Sequence, residues 1–275
     1  MSRKISRILL HIALISIGIV WIFPFVWMVS ASFKTNIELV NAGTNLIPEM
    51  FRVDNYIKAW TEANFQGYFL NTVVITVSTV FIVVAMSALT GYALGRVKFP
   101  GRNLFIILIT ATMFIPKGYT IIPVYMVIKS LGLLNTLGGV ILAESGGAHV
   151  LFILLFMSYF MKMPKELEES ATVDGCGFLR TFGSIMLPLA KPIIATAGIM
   201  QFIWTWNSFF VPLVFTINKP ELRTLAVGMY SFVGENTTDW VGMAAGATIS
   251  LIPVIIVFIA FQRFFIEGVT GSVKG

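Results

Sequence analysis

Six long apolar stretches leave this chain little choice of solvent other than the lipid bilayer. A helix needs about 20 apolar residues to cross roughly 30 Å of hydrocarbon. The runs Ile8–Ala31, Phe69–Leu94, Leu104–Val124, His149–Met163, Ile193–Ile217 and Val241–Phe265 reach or approach that length. The fourth is short, and the third is interrupted by Pro116, Lys117 and Gly118. Interior prolines at 24, 116, 212 and 253 predict kinks, which a helix bundle tolerates by re-satisfying the freed carbonyls. Only 12% of residues are charged, about half the share of a soluble domain. The expectation is an all-α polytopic membrane protein with six transmembrane helices and no nucleic-acid partner.

The first run could be read as a cleaved signal, since Arg3, Lys4 and Arg7 precede it. Its length and its two tryptophans, Trp21 and Trp27, favour a retained span. Orientation follows from the basic residues. With the N-terminus inside, the inner segments hold Arg3, Lys4, Arg7, Arg96, Lys98, Arg102, Lys162, Lys165, Arg180, Lys191, Arg263 and Lys274, which is 12 of the 19 Lys and Arg. The outer segments hold the other 7: Lys34, Arg52, Lys58, Lys117, Lys129, Lys219 and Arg223. Both termini are therefore expected in the cytoplasm.

One cytoplasmic segment interrupts the oily pattern: "ELEESATVDGCG", Glu166–Gly177. Pro164 suits a first helical turn, and Glu166, Glu168 and Glu169 complement a helix N-terminus. Leu167, Ser170, Ala171 and Asp174 recur at helical spacing, giving a narrow face of mostly small residues. Gly175 can close the helix in a left-handed cap, and Phe178–Leu187 then reads as a second helix running to Pro188. An amphipathic loop lying on lipid is one reading. The acidic first turn speaks against it, because anionic lipid repels such a surface. Docking to a soluble partner fits better.

Those residues carry a resemblance. "EESATVDGCGFLRTFGSIMLPLAKP" (Glu168–Pro192) resembles the EAA loop of ATP-binding-cassette importer permeases: Glu169, Ser170, Ala171, Gly175 and then Ile185, Leu187 and Pro188 at the family spacing. It departs at Ser170 and Cys176, where alanine is usual. "FPFVWMVSASFK", "NYIKAW", "NTVVIT", "GYALGRVKFPGR", "LGLLNTLGGVIL" and the tail "GVTGSVKG" look like the sugar-importer branch, in particular its shorter, second permease of the maltose type. The resemblance implies a type I importer permease fold with a cytoplasmic coupling helix. It divides the chain into an N-terminal helix and outer loop (1–68), a five-helix core with the EAA loop at 164–188 (69–267), and a cytoplasmic tail (268–275) that reaches the ATPase. It implies a bacterial inner-membrane subunit without catalysis. Its partners would be a second homologous permease, two cytoplasmic ATPases and an extracytoplasmic binding protein that delivers the sugar substrate. Glu169, Ser170, Ala171, Asp174 and Gly175 would then be the coupling residues. The chain has no phosphate-cradling G-x-x-x-x-G-K-[ST], so ATP and magnesium belong on the partner ATPases and no cofactor is expected here.

Candidates for the substrate pathway are fewer. A single cysteine, Cys176, excludes an intrachain disulfide, and His11 and His149 lack metal-ligand spacing. Ionisable residues at membrane depth are the default suspects, and Lys117 is the one this reading finds. It either snorkels to the outer interface or faces a cavity that favours an anionic solute such as a phosphorylated polyol. In "FIWTWNSFF" (Phe202–Phe210), Trp204, Trp206 and Asn207 offer rings and an amide to a sugar. Trp204 and Trp206 are two apart and point to different sides of a helix, and either can equally belong to an interfacial belt. The loop near Asn218–Trp240 is expected outside, where the resemblance implies contact with the binding protein.

Overall fold

The computed structural model describes residues 2–41, 44–146, 149–234 and 237–271, with residues 2–5, Lys117 and 264–271 described by backbone alone. The side chain of Lys117 and the end of the tail, 272–275, thus lie outside the described residues. Helices follow in the order α1 (Ser2–Ala31), α2 (Asn36–Asn41), α3 (Asp54–Thr61), α4 (Phe65–Arg96), α5 (Arg102–Ala111), α6 (Lys117–Ser130), α7 (Leu137–Ser145), α8 (Val150–Met161) and α9 (Glu166–Val173). Then come α10 (Phe178–Leu189), α11 (Lys191–Trp206), α12 (Phe210–Phe215), α13 (Leu225–Gly228) and α14 (Trp240–Gly271).

Three helices cross a bilayer's thickness unbroken: Ser6–Ala31 of α1, all of α4, and Trp240–Arg263 of α14. Three further bent pairs are long and apolar enough to cross when taken together: Arg102–Phe114 with Gly118–Ser130 at 109°, α7 with α8 at 54°, and α10 with α11 at 80°. Six crossings result when each pair counts as one. The third run is therefore no straight span. Ile115, forced into extended backbone (ψ 115°) ahead of Pro116, ends the helix and turns the chain. The fifth run, expected as Ile193–Ile217, is also divided. Pro212 lacks an N–H and its ring excludes the carbonyl four residues back, at Ser208, so α11 stops at Trp206 and α12 starts at Phe210. The fourth crossing begins earlier than expected. The 12 residues of α8 rise only about 18 Å, so α7 completes the span.

Packing divides the chain into two compact units, one of residues 1–69 with 228–253 and the other of 70–227 with 254–275. In the first, Asn55 donates from its amide to the carbonyls of Ser32 (2.8 Å) and Lys34 (2.9 Å), fixing the chain as it leaves α1. Phe65 is buried against Phe232, with ring centroids 5.3 Å apart. In the second, Val83, Ala88 and Tyr92 of α4 close on Phe152, Phe156 and Phe160 of α8, with Met186 of α10 and Ile193 and Ala197 of α11. Lipid tails are as apolar as these side chains, so close contact rather than water exclusion holds them together. Gly91 makes that contact possible: a Cβ there would lie 2.5 Å from the Phe156 Cβ and 2.8 Å from the Met157 nitrogen. Gly95, one turn on, meets the Met157 carbonyl in the same way at 3.0 Å. Together they form a G-x-x-x-G seam between α4 and α8.

Candidate coupling site

The polar segment folds into a helix, a corner and a second helix. α9 carries Glu166, Glu168 and Glu169 in its first turn, where their charge meets unpaired backbone N–H groups. It ends in a Schellman motif. The Cys176 N–H donates to the Ala171 carbonyl (2.8 Å) and the Gly175 N–H to the Thr172 carbonyl (3.0 Å), with Gly175 at φ +75°. α10 then starts at Phe178 and contains a π-helical turn over Phe182–Met186.

The face expected to be continuous is split by the way α9 sits. Ala171 is 2% exposed, Leu167 and Glu168 are half-buried, and Ser170 and Asp174 are open. Ala171 therefore seats the helix on its own chain rather than offering a contact. Glu169, Ser170 and Asp174 face outward beside Val173, an apolar side chain that is 86% exposed. Residues at i, i+3, i+4 and i+7 share a stripe, but a helix resting on a surface hides one edge of that stripe. Leu179, on the next arm, is also exposed.

Two residues that the motif alone does not reveal hold the knob in place. Arg96, the last residue of α4, donates from Nη2 to the carbonyls of Met163 (2.9 Å) and Pro164 (3.0 Å), immediately before α9. Its Nε lies 3.1 Å from Glu168 Oε2, an ion pair whose N–H points off the oxygen rather than a linear hydrogen bond. The Tyr92 hydroxyl donates to Glu168 Oε1 at 2.8 Å. The Tyr92 ring stacks on Phe178 (4.9 Å) and Phe182 (5.2 Å) of α10. The sequence signal for this arrangement is "GYALGR": a small-xxx-small seam in an apolar run, ending in a cation.

A second polar group sits where α7 and α11 break off, in the outer part of the crossings under the expected orientation. Ser208 donates to Glu144 Oε1 at 2.5 Å, and the His149 ring lies 3.0 Å from the Glu144 carbonyl oxygen. Phe152 stacks on His149 and on Trp204. Trp204 is 42% exposed, whereas Trp206 is buried and stacks on Phe202. Asn207 is exposed and donates to the Ile203 carbonyl (2.8 Å), capping α11. Lys117 is thus not the sole ionisable residue within the crossings: Glu144 lies in α7. The apolar run ahead of it in α7 is by itself too short to read as membrane. Among the described residues no group of His, Cys, Asp and Glu has metal-site geometry.

Comparison with known proteins places this arrangement. Residues 68–271 match the model of the family described as "Binding-protein-dependent transport system inner membrane component". The probable ABC transporter permease protein YurM of Bacillus subtilis (strain 168) is 37% identical over 254 residues, covering 92% of this chain and 84% of the relative. The arabinooligosaccharides transport system permease protein AraQ of Halalkalibacterium halodurans is 35% identical over 282 residues, covering 100% of both. Among solved structures, a crystal structure of a bacterial ABC transporter involved in the import of the acidic polysaccharide alginate contains a chain with a TM-score of 0.83 at 26% identity, covering 96% of this chain and 98% of that one. With the fold, the spans and the match over most of its length in agreement, the chain belongs to the family of binding-protein-dependent transport system inner membrane components.

Proposed function

We propose that this permease forms half of the translocation pathway of an ATP-driven importer of sugars or oligosaccharides. It pairs with a second homologous permease, receives solute from an extracytoplasmic binding protein, and performs no chemistry itself. Two cytoplasmic ATPases, carrying ATP and magnesium, engage the α9–α10 knob through Glu169, Ser170 and Asp174 on the corner set by Gly175, and their closure drives alternating access. The observation that carries the reading is this knob: an acidic, glycine-cornered helix pinned to its own chain by Ala171 and Glu168, with an exposed Val173 available to a partner. α1 supports the pairing, since none of its apolar window is buried within its own chain. Both termini lie in the cytoplasm in this reading. A cavity of about 590 Å³ lined by Asn36, Ile37, Val40, Thr238, Asp239 and Trp240 then faces outward, where the binding protein arrives.

AraQ is named for arabinooligosaccharides and the solved transporter for alginate, so the relatives support a saccharide without fixing its charge. Glu144 favours a neutral one. A carboxylate bound to Ser208, one residue after the exposed Asn207 and close in sequence to the exposed Trp204, suits hydroxyl groups and apolar sugar faces, and repels an anion. Glu144→Lys is expected to lower uptake of a neutral oligosaccharide about tenfold, equivalent to ~1.4 kcal/mol, with normal amounts of chain in the membrane. Parental uptake by that variant counts against a pathway role for the cluster. The broader reading is tested by purifying the tagged chain from its native membranes. A second permease and an ATPase are expected to accompany it, and proteoliposomes of the complex to take up oligosaccharide only with ATP. A chain that purifies alone and supports flux without ATP overturns it.

A further inference from the structure

We propose that Tyr92 and Arg96 latch the coupling knob to the last turn of α4, so that α4 is the helix through which the knob's displacement enters the membrane. This deepens the coupling reading above and rests on it. Four residues apart, the two side chains share one helix face, and between them they hold both arms of the knob. Arg96 takes the two carbonyls that lead into α9 and the Glu168 carboxylate. Tyr92 takes the other oxygen of that carboxylate and stacks on Phe178 and Phe182 of α10. Gly91 and Gly95 meanwhile press the same stretch of α4 against the α8 backbone.

The Arg96 side chain is 7% exposed and that of Glu168 25%. A charge drawn out of water and held by several partners does not let go of one at little cost, because the remaining charge is left unpaired. Glu168 is thereby set apart from Glu166 and Glu169, which are exposed in the same turn. Glu168 faces inward to α4 as a positioning residue, and the exposed residues are left to meet the ATPase.

The test uses the assembled transporter with its ATPases in lipid nanodiscs. Cys176, the only cysteine of this chain, is replaced by Ser, and cysteine-free partner subunits are used. An environment-sensitive fluorophore is attached at Phe81→Cys, an exposed position in α4. ATP with vanadate is expected to shift the emission in the parent. In Glu168→Ala the ATPases remain bound and hydrolyse ATP, while the shift falls about fivefold or more, the low end of an allosteric coupling. Glu168→Gln, which keeps an oxygen to accept from the Tyr92 hydroxyl, restores part of it, which a general loss of folding does not allow. A full shift in Glu168→Ala, loss of the ATPases from that variant, or a glutamine variant no better than the alanine one overturns the latch. A parent complex that purifies without ATPases, or shows no ATP-driven shift, overturns the coupling reading instead.

Discussion

Gly175→Val is expected to leave the permease in the membrane while uptake falls at least about tenfold relative to the ATP hydrolysed, a loss of ~1.4 kcal/mol or more in coupling. The reason is conformational and local. Gly175 stands at φ +75°, a region that costs an ordinary L-residue roughly 1–2 kcal/mol and a β-branched one more. A Cβ at this position meets nothing within 4 Å, so crowding plays no part. Valine is expected to pull the corner towards a right-handed conformation, break the Cys176 and Thr172 bonds of the Schellman motif, and re-aim α10 relative to α9. Asparagine tolerates the left-handed region and is expected to preserve coupling, which separates the backbone effect from the loss of glycine itself. Uptake per ATP in proteoliposomes, alongside the amount of chain in the membrane, decides the matter. A valine variant with parental coupling would falsify the claim that this corner sets the knob.

Gly91→Ala is the second large effect, and here the cause is crowding. The single added methyl lies 2.5 Å from the Phe156 Cβ, 2.8 Å from the Met157 nitrogen and 2.9 Å from the Ile153 carbonyl oxygen. Two of those three atoms are backbone and cannot rotate away, so α4 must back off from α8. Overpacking of this kind costs about 1–3 kcal/mol, and more where backbone has to move. The melting temperature of the solubilised protein is expected to fall roughly 5–10 °C on the scale of domains this size. The equivalent change at Gly95, where the tightest approach is 3.0 Å, is expected to cost less. Equal melting of Gly91→Ala and the parent contradicts the seam.

Why some of this was readable in the sequence and some was not follows from the range of the forces involved. Spans one, two and six are unbroken apolar runs, and length against bilayer thickness is enough to find them. The glycine corner was readable because its cause is local: a left-handed φ wants glycine wherever it occurs. The divided crossings had local causes too, and Pro116 and Pro212 marked their places, but a proline does not say whether the helix bends or ends there. Glu144 and the inward turn of Ala171 were not legible, because both depend on what a distant segment places alongside. Ser208 comes 64 residues after Glu144, and no spacing rule links them. Tyr92 and Arg96 fall between these cases. Their glycine seam is local, and their grip on Glu168, 76 residues beyond Tyr92, is not.

The π turn at Phe182–Met186 also fixes an angle. A π turn accommodates one more residue than an α turn, and each residue in a regular helix advances the direction of the side chains by about 100°. On this stretch Met186 is buried and Phe182 and Ile185 pack against the same core, while Gly183 and Ser184 are exposed. The turn therefore takes up one residue of surplus length between α11 and the corner at Gly175 while its buried face stays on the core. Take one residue out here and the helix can run regularly with the outward row of Glu169, Ser170 and Asp174 still on its bearing, whereas one residue lost from the regular helix after the turn swings that row by about 100° against the core. The compass bearing of the knob is thus written in a count of residues, with slack for one of them at the π turn and none in the regular helix that follows it.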